Sequence, residues 1–162
     1  MKAVKLLLSL FVLSSVMSCS SDETSTGDFD PNDPSVIIWS GPSISFVKSD
    51  GSDPDEEANQ DRITDSVWIT RGNNGGQIYN AVSESSANMT SSPAGTQWAV
   101  GRTANLETLN FSNFRSAVGE PKDVVGTDLV MRLVDENIFI DVRFTSWSQG
   151  RLGGFAYERA TE

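Results

Sequence analysis

No histidine occurs in the 162 residues, and Cys19 is the single cysteine. A Ser-His-Asp triad, a Cys-His dyad, imidazole acid–base catalysis and histidine-ligated zinc are therefore outside this chain's repertoire. Catalysis would have to rest on two carboxylates, as in glycoside hydrolysis, or on Tyr, Arg and Lys. Asp61, Asp65, Asp141 and Glu158 are available for the first scheme. No spacing singles out two of them, and carboxylates are plentiful in a chain with 22 acidic residues against 12 basic ones. The residue types favour a protein that binds over one that catalyses.

Two stretches carry the groups a ligand would need. Asp50, Asp53, Asp55 and Asp61 offer hard oxygen donors within one turn-rich loop, and Asn59 and main-chain carbonyls could complete a calcium shell. The spacing lacks the alternate acids and sixth-position glycine of an EF-hand, so a solvated acidic turn is the competing reading. The second stretch is aromatic. By period-two counting Trp68 and Trp147 fall off the apolar faces of their strands, and Trp147 leads into a glycine-flanked loop with Gln149 and Arg151. Indole faces stack on sugar rings, and the amide and guanidinium can donate to hydroxyls. Trp68, Trp147, Gln149 and Arg151 thus form a candidate glycan site, with a second layer of core as the alternative for the two indoles. Trp39 and Trp98 read as core. Arg62, Arg71, Arg132, Arg143 and Arg159 stand on or beside strands with Asp65, Asp141 and Glu158. Cross-strand ion pairs on the solvent face, each worth about 0.2–1 kcal/mol, account for them, and an arginine clamp on a ligand is the alternative.

The elements that must hold these residues centre on Asp128–Arg159. Its pattern predicts three strands, Leu129–Val134, Ile138–Trp147 and Phe155–Arg159. In the second, Ile138, Ile140, Val142 and Phe144 share one face while Asp141, Arg143 and Thr145 point the other way, the mark of a half-buried antiparallel strand. Asp135-Glu136-Asn137 supplies the first turn, with Asn137 suited to a left-handed conformation. Upstream, strands are expected at Val36–Ser40, Ser43–Lys48, Arg62–Arg71, Gln77–Val82 and Thr96–Arg102. The one helix signal lies at Phe111–Gly119, with Ser112 as its cap and Gly119 closing it. Seven or eight short strands with one helical turn predict an all-β fold, an antiparallel β-sandwich or flattened barrel spanning residues 35–162.

The N-terminus has a different character. Lys2 and Lys5 precede an apolar run, Leu6 to Leu13, too short to span a membrane, and small or polar residues then lead to Cys19. Val16-Met17-Ser18-Cys19 resembles the lipobox of bacterial lipoproteins. That resemblance implies a signal peptide over 1–18, cleavage before Cys19, lipidation of its thiol and anchoring to a membrane by acyl chains. Residues 19–34, rich in Ser, Thr, Asp and Pro, read as a disordered acidic tether. Ser21-Asp22-Glu23 resembles the surface-export signal of Bacteroidota lipoproteins, which implies an outer-membrane lipoprotein facing the periplasm or the cell surface. Without Lys2 and Lys5 the chain keeps ten basic and 22 acidic residues, a net charge of −12. That balance argues against nucleic acid and anionic membrane surfaces as partners.

From Ile38 onward, Trp39-Ser40-Gly41-Pro42, Asn59–Asp65, Val67–Gly72, Ser92-Pro93-Ala94, Phe144–Trp147 and Gly153-Gly154-Phe155 resemble an uncharacterised all-β domain of secreted and cell-surface proteins of aquatic bacteria. The resemblance implies secretion and an independent domain. It brings no activity, though it makes Asp61 the best of the four calcium candidates. The expected function is a surface-anchored, non-catalytic binding or adhesion lipoprotein, with extracellular glycan as ligand. The alternatives are a structural envelope lipoprotein without a small-molecule ligand, or a carboxylate-based glycosidase or lyase.

Overall fold

The computed structural model describes Asp30 and residues 33–162; the signal segment, Cys19 and most of the tether lie outside the described residues. Nine strands follow in order: β1 (Ile37–Trp39), β2 (Ser43–Lys48), β3 (Asp61–Arg62), β4 (Trp68–Arg71), β5 (Ile78–Asn80), β6 (Thr96–Val100), β7 (Asp128–Leu133), β8 (Ile138–Trp147) and β9 (Phe155–Ala160). The larger sheet runs β2-β9-β8-β7-β6 with β1 beside β8, and the smaller runs β3-β4-β5. Pairing is antiparallel throughout except between β1 and β8. The all-β sandwich read from the sequence is the architecture found, with one short helix, α1 (Phe114–Val118).

The meander forms because each of its strands alternates. Asn137 makes the β7–β8 turn with φ of 52°, the left-handed conformation expected of it. Leu129, Met131 and Leu133 then stand beside Ile138, Ile140, Val142 and Phe144, with Phe155 and Tyr157 beyond them. Val67, Ile69 and Ile78 of the smaller sheet close the other side of this core. Trp98 is fully buried and meets Phe114 of α1 edge-on, with ring centroids 5.0 Å apart. Each such side chain contributes about 1.5–3 kcal/mol of apolar burial.

The opposite face of the large sheet is only half solvated. Phe139 and Val130, on that outer face, are buried under Leu106, Leu109, Phe111 and Val36. Alternation alone assigns this face to water, because it cannot show that the Thr103–Thr108 turns fold back over it. The rest of the outer face stays open.

Three local expectations are corrected. Arg62–Arg71 is not one strand but the hairpin β3–β4: Asp61 pairs with Ile69 and the Ile63 N–H donates to the Val67 carbonyl. Thr64-Asp65-Ser66 is the turn, and both of its hydroxyls donate to Glu136. Ser112 does not cap α1; it bridges to Trp98, Asn113 holds the cap position, and the Phe114 N–H donates to Ser92 Oγ. The third correction bears on function. A bulge between Phe144 and Ser146 inserts Thr145 into β8, so that Phe144 faces Tyr157 and Trp147 faces Phe155. The extra residue reverses the parity, and Trp147 returns to the core side of the sheet.

Candidate functional site

Asp61, the leading calcium candidate, is committed elsewhere. Its side chain is buried on the inner face, where Arg159 donates from Nε to Oδ2 at 2.7 Å and from Nη2 to Oδ1 at 2.9 Å. The Tyr157 hydroxyl adds a third hydrogen bond to Oδ2 at 2.6 Å. A bidentate fork plus a phenol engages both carboxylate oxygens. Arg159, expected in a pair on the solvent face, is thereby a buried cation. Asp50, Asp53 and Asp55 are exposed, and Asp53 Oδ1 accepts from the Asp55 N–H as a local turn. Among the described residues no three acidic, histidine or cysteine side chains converge as a metal site.

The buried cluster makes a spectroscopic prediction. Burial, then the nearby Asp61 carboxylate, raises the Tyr157 phenol well above its usual 10.0, and burial, then Asp55, Asp53 and Glu84, raises Tyr79. These are the only two tyrosines. A phenol whose folded pKa is raised contributes stability below the unfolded value and loses it as pH climbs through the folded value. Tyrosinate absorbance at 295 nm should therefore appear only above pH 10.0 in the native protein, together with unfolding. Urea-unfolded protein should titrate near that value; a native curve that coincides with it would mean the phenols are solvated.

Trp147 and its neighbours also differ from expectation. The Trp147 indole is half-buried against Phe114, Phe144 and Phe155. The Arg71 guanidinium lies over it at 4.0 Å, so one face is already stacked. Gln149 lines the same shallow hollow as Trp147, whereas Arg151 is exposed and Trp68 does not reach it. Trp68 is half-buried, carries the Arg62 guanidinium at 4.1 Å over its ring, and donates from Nε1 to the Thr64 carbonyl. The structure thus brings two of the four candidates together. Nor do Gly153 and Gly154 clear room for a ligand: a Cβ on them would collide with Asn73 and Asp50 respectively. Protein backbone and side chains fill the space the glycines leave.

A hollow with polar walls lies on the open part of the outer face. It has a volume of about 390 Å³ and runs between the β1–β2 connection, at Trp39–Gly41, and the Arg102-Thr103 turn. Its floor follows from the register. Ser45 faces Glu158, Glu158 faces Arg143, and Arg143 faces Asp128, on β2, β9, β8 and β7 in turn. Arg143 Nη1 donates to Asp128 Oδ1 at 2.6 Å, and Arg102 donates to Oδ2 from Nε at 3.0 Å and from Nη2 at 2.9 Å. Those hydrogen bonds, Arg143 first, hold the Asp128 carboxyl below the usual 3.8. Beside this row, Asp141 accepts from the Thr103 N–H at 2.7 Å and from the Thr103 hydroxyl at 3.0 Å. Glu158 is exposed and carries no ion pair among the described residues. The groove therefore offers acceptors and donors in alternation, Asp128 and Asp141 held by hydrogen bonds and Glu158 open, with Trp39 at its edge.

Asp141, Arg143 and Glu158 were visible in the sequence as outward residues of the meander. Asp128 and Arg102 were not, because only the register and the returning turn bring them onto the same row. Comparison with family models, with curated proteins and with solved structures finds no match.

Proposed function

We propose that this chain is a non-catalytic binding or adhesion lipoprotein, anchored at the cell envelope through Cys19, that holds an extracellular glycan in the outer-face groove. The observation that carries the reading is the cross-strand row Glu158–Arg143–Asp128–Arg102 along the floor of a 390 Å³ hollow. A saccharide presents many hydroxyls, each both donor and acceptor, and a surface of alternating carboxylates and guanidiniums answers both halves of that chemistry. The size falls in the range of small-molecule sites. Pre-set side chains lower the ordering cost of a weak, polar ligand.

The same geometry argues for binding without hydrolysis. A glycosidase acid must hold its proton near neutral pH. Asp128 is held ionised by two guanidiniums, which suits steady acceptance of hydrogen bonds.

Glu158→Ala is the test variant, because its side chain is exposed and supports no described ion pair. A charge-assisted hydrogen bond is worth about 1.5–3 kcal/mol, so retention on the best glycan of an array should fall roughly tenfold or more, with Tm unchanged. Unchanged retention would remove the groove from the binding site. Failure of the full chain to retain any glycan on the array would remove the function itself.

A further inference from the structure

A second hollow, of about 200 Å³, lies on the other side of the bulge, around Trp147. Its deepest polar group is Arg71, which is 2% exposed. Burying a cation is costly unless an anion compensates it. Arg71 has no ion pair among the described residues. Its partners are neutral carbonyls instead: Nε donates to Gly76 at 3.1 Å, and Nη1 donates to Ser148 at 2.8 Å and to Gly154 at 2.9 Å. Nη2 has no acceptor among the described residues. Desolvation accordingly pulls the Arg71 pKa down, and the field of Asp50 opposes it without an ion pair.

The rim repeats the sign. Arg115 and Lys122 line the hollow with Arg71; Glu120 meets Arg115 only at 4.0 Å, and Lys122 pairs with Asp123 at 2.7 Å on the exposed rim. Three cations to two carboxylates, Glu120 and Asp123, still leaves a local positive excess in a chain of net charge −10. Charges beyond about 8–10 Å are screened at physiological salt, so the buried Arg71 and its near neighbours dominate what binds there. Gln149, also in the lining, adds an amide donor.

We propose that this hollow is an oxyanion site, taking a carboxylate, sulfate or phosphate group whose oxygens meet Arg71 Nη2 at the base and Arg115 and Lys122 at the rim. The anion supplies the counter-charge that Arg71 lacks within the protein. The site is separate from the outer-face groove and stands whether or not that groove holds a glycan.

The experiment is an NMR titration of the ¹⁵N-labelled full chain with sodium sulfate, sodium phosphate and sodium galacturonate, each against sodium chloride at equal ionic strength. Saturable shifts are expected at the Arg71 Nε–H, the Gln149 side-chain amide and Gly150. Because Arg71 variants risk misfolding, the rim is tested: Arg115→Gln and Lys122→Gln should each weaken the binding about three- to tenfold. The probe that saturates at the lowest concentration identifies the group, tetrahedral for sulfate or phosphate and planar for the uronate. Shifts that never saturate, that chloride reproduces, or that both rim variants leave unchanged would overturn the site.

Discussion

Asp61→Ala is expected to cost about 3–5 kcal/mol of folding stability, the range for removing one partner of a buried ion pair. The reason is what the substitution leaves behind. Arg159 is 6% exposed and would keep its charge with no carboxylate beside it, and the Tyr157 hydroxyl would lose its acceptor. Against a typical domain stability of about 5–15 kcal/mol, that is enough to bring the chain close to unfolding at room temperature. Asp61→Asn keeps part of the hydrogen bonding and should fall between the two. Asp61→Ala combined with Arg159→Met should be less destabilised than Asp61→Ala alone, since the stranded charge is gone. Urea unfolding with a constant m-value checks all three. A loss below about 1 kcal/mol for Asp61→Ala would mean the pair is solvated, and the residue would be free to serve a metal after all.

Trp147→Ala is the second large effect, expected at about 3 kcal/mol, the lower end for truncating a core tryptophan because the indole is only half-buried. Its loss would open space beside Phe114, Phe144 and Phe155 and remove the ring beneath Arg71. Trp147→Phe should recover part of that loss, since a ring still packs there. A Trp147→Ala protein of undiminished stability that no longer retains glycan would restore the loop as the saccharide site. Stability and retention therefore have to be measured on the same variant.

Those two residues also show where the sequence could be read and where it could not. The meander, its inward-facing residues and the Asn137 turn were legible because period-two alternation and a left-handed turn residue are local properties. Trp147 was misassigned because a bulge is one unpaired residue, and nothing in Phe144-Thr145-Ser146-Trp147 marks which residue goes unpaired. The burial of Asp61 was not legible because its partner lies 98 positions away, on a strand of the other sheet whose packing against β3 no local pattern reveals. The hairpin at Thr64-Asp65-Ser66 did carry a turn signal, in Asp65 and Ser66, but the apolar spacing of Ile63, Val67 and Ile69 was the louder pattern. In the groove, three outward residues of the meander were readable one by one. Their assembly with Arg102, from a turn outside the meander, is tertiary.

The central claim is that a glycan sits in the outer-face groove rather than on the Trp147 loop, and backbone amide shift mapping tests it most directly. The ¹⁵N-labelled full chain would be titrated with the best oligosaccharide from the array. The groove predicts saturable shifts concentrated at Thr103, Asp128, Asp141, Arg143 and Glu158. Shifts concentrated instead at Trp147, Gln149, Gly150 and Arg151, with the β7–β8–β9 row silent, would contradict it.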